Sequence, residues 1–222
     1  DAAKWTGADA VKFQLFQAAM LQPERYDLLK SLELSFAQMR DIAAYCKSVG
    51  IEFMCTPFGI EELDVLKPLL RRVKIGSGSI MDHELLLAAR DTGLPVILST
   101  GMSDLDDVQK AEQYFWKHDL TLLHCTSAYP CHLEDVNLGA METLRDAFGV
   151  PVGYSDHTNG ITVAIAAAAN CNKSTVTYHL RRARRDVVPK QKEAASFRNR
   201  AAVLQYLMLH HCVDCGEDDP IV

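Results

Sequence analysis

The chain has 222 residues, 48% of them hydrophobic, with seven cysteines and a formal net charge of -6. Its mean hydropathy of -0.04 is that of a soluble globular protein, and no apolar run approaches the roughly 20 residues that a bilayer-spanning helix requires. One domain with a large core is the expected organisation at this length. The first residues, Asp1-Ala2-Ala3-Lys4-Trp5, lack the basic start and apolar centre of a signal peptide and read as a chain entered mid-helix. An odd number of cysteines, with Cys55 and Cys125 inside strand-like runs, predicts free thiols in a reducing, cytoplasmic setting. The charge is uneven: about -9 over residues 1–172, about +7 over 173–200 and about -4 over the remainder.

In chain order, the first strand ends at Gln14, and the polar stretch through Tyr26 reads as loop or short helix. Residues 35–49 carry Phe36, Met39, Ile42, Ala43 and Cys46 at helical spacing, and Gly50 ends that helix. A strand over 51–55, a helix over 61–70 and a short strand over 73–75 follow. The alternation continues with a helix at 83–92, a strand at 96–99, a helix at 104–118 with Ser103 as its N-cap, and a strand at 121–125. Next come a helix at 137–148, a strand at 152–154, a helix opening at 162 and a strand at 176–179. Strand-to-strand spacings of about 20 to 30 residues from Ile51 onward are those of βαβ units.

Each of these seven apolar runs ends in small polar or charged residues, and the last two deliver a histidine each. Polar groups presented repeatedly at the carboxyl ends of buried strands are how a (β/α)8 TIM-type barrel assembles an active site. Seven strands are countable where a closed barrel has eight, so the expected fold is α/β, a barrel lacking its first strand, which would lie before Asp1. Residues 1–180 are assigned to this incomplete barrel and 181–222 to a divergent, basic, helical tail.

Lys12 and Lys74 close their strands where lysine is normally excluded from a core, so both are expected to project into the barrel mouth. Two fixed ammoniums near one point bind a polyanion and stabilise developing negative charge. Gln14 falls on the same side of its strand as Lys12. Thr56, Ser77, Ser127 and Ser155 add hydroxyls which, with neighbouring backbone N–H groups, form an oxyanion-binding rim. His157, flanked by Ser155 and Asp156, is the strongest candidate for a metal ligand. His179 follows one βα unit later, on the next strand.

The motifs GADAVKFQ (7–14), TPF (56–58), KIGSG (74–78), PVILSTGM (95–102), LLHCTSAYP (122–130), EDVNL (134–138) and GYSDHT (153–158) resemble, in order and spacing, those of the sialic acid synthase (N-acetylneuraminate synthase) family. The resemblance covers about residues 7–169. It implies a barrel that condenses phosphoenolpyruvate with N-acetylmannosamine or a related amino sugar, giving a nine-carbon 2-keto acid and phosphate. It implies a divalent ion, Mn2+ or Mg2+, on His157 and His179, and a small antifreeze-like domain after the barrel. The implied roles are phosphoenolpyruvate binding for Lys12 and Lys74, and sugar contact for Gln14 and Tyr129. Thr56, Ser77, Ser127, Ser155 and Asp156 are the remaining substrate-binding positions. A homodimer stays open, because the family's partner contact comes from the small domain.

The chain also departs from the family pattern. Ser79 stands where an acidic residue usually follows KIGSG, Leu94 where Lys or Arg often precedes the proline, and Thr177 where a carboxylate precedes the second histidine. A non-catalytic homologue that keeps an anion-binding barrel is therefore the alternative reading. Beyond residue 170 the likeness ends. The basic run there has few aromatics and no recognised motif, so neither a nucleic-acid nor a membrane partner is expected. His210-His211-Cys212-Val213-Asp214-Cys215 offers half of a zinc site, and without a second pair it reads as an exposed tail end.

Overall fold

Short runs rich in β-branched and aliphatic residues form the strands. The computed structural model describes residues 1–21, 25–115 and 119–168. Among these, six strands are formed: β1 (Ala10–Leu15), β2 (Glu52–Pro57), β3 (Val73–Ile75), β4 (Val96–Ser99), β5 (Leu120–His124) and β6 (Val152–Tyr154). They alternate with α1 (Ala2–Trp5), α2 (Tyr26–Leu32), α3 (Phe36–Val49), α4 (Ile60–Leu66), α5 (His83–Asp91), α6 (Leu105–Glu112), α7 (Gly139–Phe148) and α8 (Thr162–Ala168). All strand pairs are parallel: β1 with β2, and β3, β4, β5 and β6 in sequence order. Strands β2 and β3 run side by side without a ladder between them. Arg72 and Glu52 fasten that seam at its amino end through two contacts, Nε to Oε1 at 2.7 Å and Nη2 to Oε2 at 3.3 Å. The expected strand at 176–179 and the basic tail lie outside the described residues.

Side chains alternate across the sheet wall, as the period of two demands. Phe53, Cys55, Val73, Ile75, Val96, Leu98, Leu120 and Leu122 join Leu63, Leu66, Leu85, Leu86, Val108 and Leu144 of the helices in one buried cluster. The opposite parity gives a separate small cluster of Met54, Ile97 and Leu123, with Ala10 packed on it. This second set is the apolar floor of the inner face. Lys12 pairs in register with Met54, and Lys74 with Ile97. Both lysines therefore belong to the inner face and not to the helix-packed one. A Cβ on Gly153 would lie 2.7 Å from Leu123 Cδ2, so a side chain there would require Leu123 to shift within the floor.

Helix ends show where local chemistry decides. Ser35 and Gln38 form a reciprocal capping box on α3, and Gly50 closes it in the left-handed region at φ 75°. The expected helix over 61–70 ends as α-helix at Leu66, and Lys67–Leu69 continue as a 3-10 turn around Pro68, which lacks an N–H to donate. The N-cap of α6 is Asp104 and not Ser103. The Asp104 carboxylate accepts from Asp107 N–H at 2.9 Å, whereas Ser103 Oγ donates to Gly101 O. Helix α7 begins at Gly139 because Asn137 takes φ 41°, outside the helical region. Helix α2 follows the stretch read as loop or short helix, and none of its seven residues is buried.

The described cysteines Cys46, Cys55, Cys125 and Cys131 are buried free thiols. Burial pushes the Cys55 thiol up to about 12, whereas an unfolded chain releases that proton near pH ~8.5. The folded state then holds a proton that the unfolded state gives up. This contribution is complete below about pH 8.5 and lost as pH rises toward 12. Denaturant titrations are expected to show stability falling above that pH, by at most about 1.4 kcal/mol per pH unit for this group. The slope should be shallower in Cys55→Ala; equal slopes in the two proteins would remove Cys55 as the cause.

Candidate active site

At the carboxyl ends of the strands the inner face turns from apolar to polar at one height. Two residues beyond Lys12, Met54, Ile97, Leu123 and Gly153 stand Gln14, Thr56, Ser99, Cys125 and Ser155, and all five line a cavity of about 680 Å³. That volume is in the range of small-molecule sites. Lys12, Lys74, Ser77, Ser127, Tyr129 and His157 line the same cavity. Of the described expected site residues, only Asp156 is not among its walls. Asp156 belongs to the turn beside it, and His179 lies outside the described residues.

Lys74 is 3% exposed, and its ammonium donates to Ser99 Oγ at 2.6 Å and to Ile75 O at 3.2 Å. An ammonium has no acceptor, so Ser99 must accept here and keeps its own hydrogen for another acceptor. Across the seam, Lys12 brings the second positive charge from β1. Thr56 Oγ1 is buried between them in sequence order and has no hydrogen-bond partner among the described residues. A buried hydroxyl without a partner is costly, and a ligand oxygen in the cavity would satisfy it.

The next groups converge on Gly101. Its N–H donates to Ser77 Oγ at 3.0 Å, and Ser77 Oγ lies 3.1 Å from Cys125 Sγ. A Cβ at residue 101 would sit 2.8 Å from both Ser77 Oγ and Cys125 Sγ, and closer still to Ser127 Oγ. A side chain at residue 101 would thus force these short side chains to turn away. Met102, which follows, holds φ 61° and is 75% exposed at the cavity edge. A non-glycine residue in the left-handed region marks local strain.

His157 is oriented from both sides. Its Nδ1 lies 3.0 Å from Thr126 O, and its Nε2 lies 3.5 Å from Ser155 Oγ. A carbonyl oxygen only accepts, so Nδ1 carries the hydrogen and, in the neutral ring, Nε2 presents a lone pair. The Tyr129 ring packs on the imidazole at 4.3 Å between centroids. Asp156 does not face the ligand space. Its Oδ1 accepts from Thr158 N–H at 2.9 Å and from Thr158 Oγ1 at 2.8 Å, which stiffens the turn behind His157. Burial raises the Asp156 carboxyl above its ordinary range, opposed by the Thr158 hydrogen bonds.

For a divalent ion, the Nε2 lone pair of His157 fits one ligand position. The described residues contain no cluster of three or more His, Cys, Asp or Glu side chains that would complete such a site. Sequence reasoning also missed several cavity residues: Arg25, Phe58, Ser99, Met102 and Cys125. For Ser99 and Cys125 the signal was available, since each stands two residues beyond an inner-face apolar residue of its own strand.

A parallel α/β wall that gathers two lysines, a rim of hydroxyls and an oriented histidine at its carboxyl ends is the arrangement in which barrel-type enzymes place their sites. The chain belongs to the NeuB family, whose sequence profile matches residues 1–186. It is 44% identical over 191 residues to the N,N'-diacetyllegionaminic acid synthase of Legionella pneumophila, covering 75% of this chain and 54% of that protein. It is 35% identical over 146 residues to the human N-acetylneuraminate-9-phosphate synthase, covering 63% of this chain and 40% of that protein. Among solved structures it is similar to the N-acetylneuraminic acid (sialic acid) synthetase of Leptospira borgpetersenii in complex with citrate. That similarity has a TM-score of 0.73 at 28% identity and covers 89% of this chain and 82% of that one. The chain spans about half the length of the curated relatives it matches. No helix among the described residues is long and apolar enough to cross a membrane.

Proposed function

We propose that this chain carries the phosphoenolpyruvate site of a synthase that joins phosphoenolpyruvate to an amino-sugar aldehyde, forming a 2-keto sugar acid and phosphate. The observation that carries this reading is the convergence of Lys12 and Lys74 on one hydroxyl-lined cavity. Phosphoenolpyruvate presents a carboxylate and a phosphate on a three-carbon frame, and two ammoniums flanked by hydroxyl donors match that pair of anions. Membership of the NeuB family and the names of its relatives support the acceptor being an amino sugar.

In the proposed reaction, C3 of phosphoenolpyruvate forms a bond to the aldehyde carbon, and the aldehyde oxygen takes a proton to become a hydroxyl. Water adds at C2, and phosphate leaves with cleavage of its C–O bond. Lys74 and Lys12 hold the anionic groups through these steps, while Ser77, Ser127, Ser155 and Thr56 donate to their oxygens. Gln14 and Tyr129, which line the same cavity, would contact the sugar. A divalent ion (Mn2+ or Mg2+) held through His157, with His179 as its proposed second ligand, would supply Lewis-acid polarisation of the aldehyde. The test is to incubate the full chain with Mn2+, phosphoenolpyruvate and a panel of amino sugars including N-acetylmannosamine. Equal amounts of 2-keto acid and phosphate are expected. A folded chain that neither forms product nor binds phosphoenolpyruvate in a calorimeter would refute the reading; binding without product would identify the non-catalytic homologue.

A further inference from the structure

Among the described residues, Cys125 is the one thiol in the walls of the cavity, and neither the floor nor the cation pair accounts for it. It is buried, and its Sγ lies 3.1 Å from Ser77 Oγ. Ser77 Oγ also accepts the Gly101 N–H. A hydroxyl has one hydrogen to donate and two lone pairs with which to accept. If Ser77 gave its hydrogen to the sulfur, it would have none left for a ligand. If the thiol donates instead, both lone pairs are filled and the hydroxyl hydrogen must point away from the protein network. Sulfur is a weak acceptor, whereas a carboxylate or phosphate oxygen is a strong one.

We propose that Cys125 is a positioning residue: its S–H donates to Ser77 Oγ and so turns the Ser77 hydroxyl hydrogen into the cavity, toward an anionic oxygen of the ligand. This rests on the reading of the cavity as a phosphoenolpyruvate site. A second observation points to a ligand in the same space: Thr56 Oγ1, on a residue 3% exposed, lines the cavity and lacks a partner among the described residues. The closeness of Gly101 to Ser77, Cys125 and Ser127 holds the relay together. Hydrogen bonds in series polarise one another, so the weak thiol donor strengthens the hydroxyl that follows it.

The experiment is calorimetric titration of phosphoenolpyruvate into the full chain and its Cys125→Ala, Cys125→Ser and Ser77→Ala variants, with circular dichroism to confirm folding. Cys125→Ala is expected to weaken binding about three- to tenfold, the size of one neutral hydrogen bond. Cys125→Ser, which keeps a donor in place, is expected to bind within about twofold of the wild type. A packing role predicts the opposite order, because serine buries an extra polar group where alanine does not. In a Ser77→Ala background, Cys125→Ala should have no further effect. Wild-type binding by Cys125→Ala, weaker binding by Cys125→Ser than by Cys125→Ala, or an undiminished effect without Ser77 would overturn the assignment and leave the proposed function standing. Failure of the wild type itself to bind would sink both.

Discussion

Replacing Lys74 with methionine is expected to lower kcat/KM for phosphoenolpyruvate by about 10²–10³-fold, the loss typical of removing a preorganised electrostatic contact from a dry site. The same change should leave the melting temperature unchanged or raise it. Lys74 is 3% exposed on the inner face, in register with Ile97 of the Met54, Ile97 and Leu123 cluster. Burying an ammonium costs free energy even when it is hydrogen-bonded, and an apolar side chain of similar length removes that cost. Activity and stability are thus predicted to move in opposite directions, as they do where a protein keeps a costly group for its chemistry. Steady-state kinetics and a thermal melt on one preparation decide the matter. Full activity, or a large drop in melting temperature, would make Lys74 a structural residue and remove the basis of the site.

Gly101→Ala is the second large effect. The new methyl group would meet Ser77 Oγ and Cys125 Sγ at 2.8 Å and Ser127 Oγ at shorter range. These atoms end short side chains, so they can rotate away, and overpacking relieved in this way costs at most about 1–3 kcal/mol of stability. The rotation, however, dismantles the rim. It breaks the Gly101 N–H to Ser77 bond and turns the hydroxyls from the ligand. A loss of about 10²-fold in phosphoenolpyruvate affinity is expected, the size of one or two hydrogen bonds to a charged group. Unchanged affinity would show that these side chains do not touch the ligand.

Much of this was legible in the sequence because a parallel barrel wall repeats one simple rule. Val96 to Leu98 and Leu120 to Leu122 read as strands since both faces of a covered sheet are apolar, and the change to polar residues at Ser99 and Cys125 marks where the wall ends. Lys12 and Lys74 were legible by contrast, as charges in otherwise apolar runs. The missed or misplaced features have separate physical origins. Tyr26–Leu32 is a two-turn helix whose apolar residues, Tyr26, Leu28, Leu29 and Leu32, are too few to mark it as more than the end of a polar loop, and none of them is buried. Both Ser103 and Asp104 are good capping residues by type, and only the reach of Asp104 to the Asp107 N–H chose between them. Asp156 carries a motif carboxylate, yet the hydroxyl and N–H of Thr158, two residues on, claim it first. Gly101 bore no sign of its crowding, since the three side chains that meet there come from β-strand ends far apart along the chain.

The open seam between β2 and β3 has a consequence for substrate fit. Lys12 stands on one side of it and Lys74 on the other, so under the proposed function the gap would act as the jaw of a calliper set to the two charged ends of the ligand. No ladder bonds span that opening, and the Arg72–Glu52 pair crosses it at its base. On the proposed function, substitutions at Arg72 or Glu52, which do not line the cavity, are expected to change the preferred distance between a ligand's anionic ends.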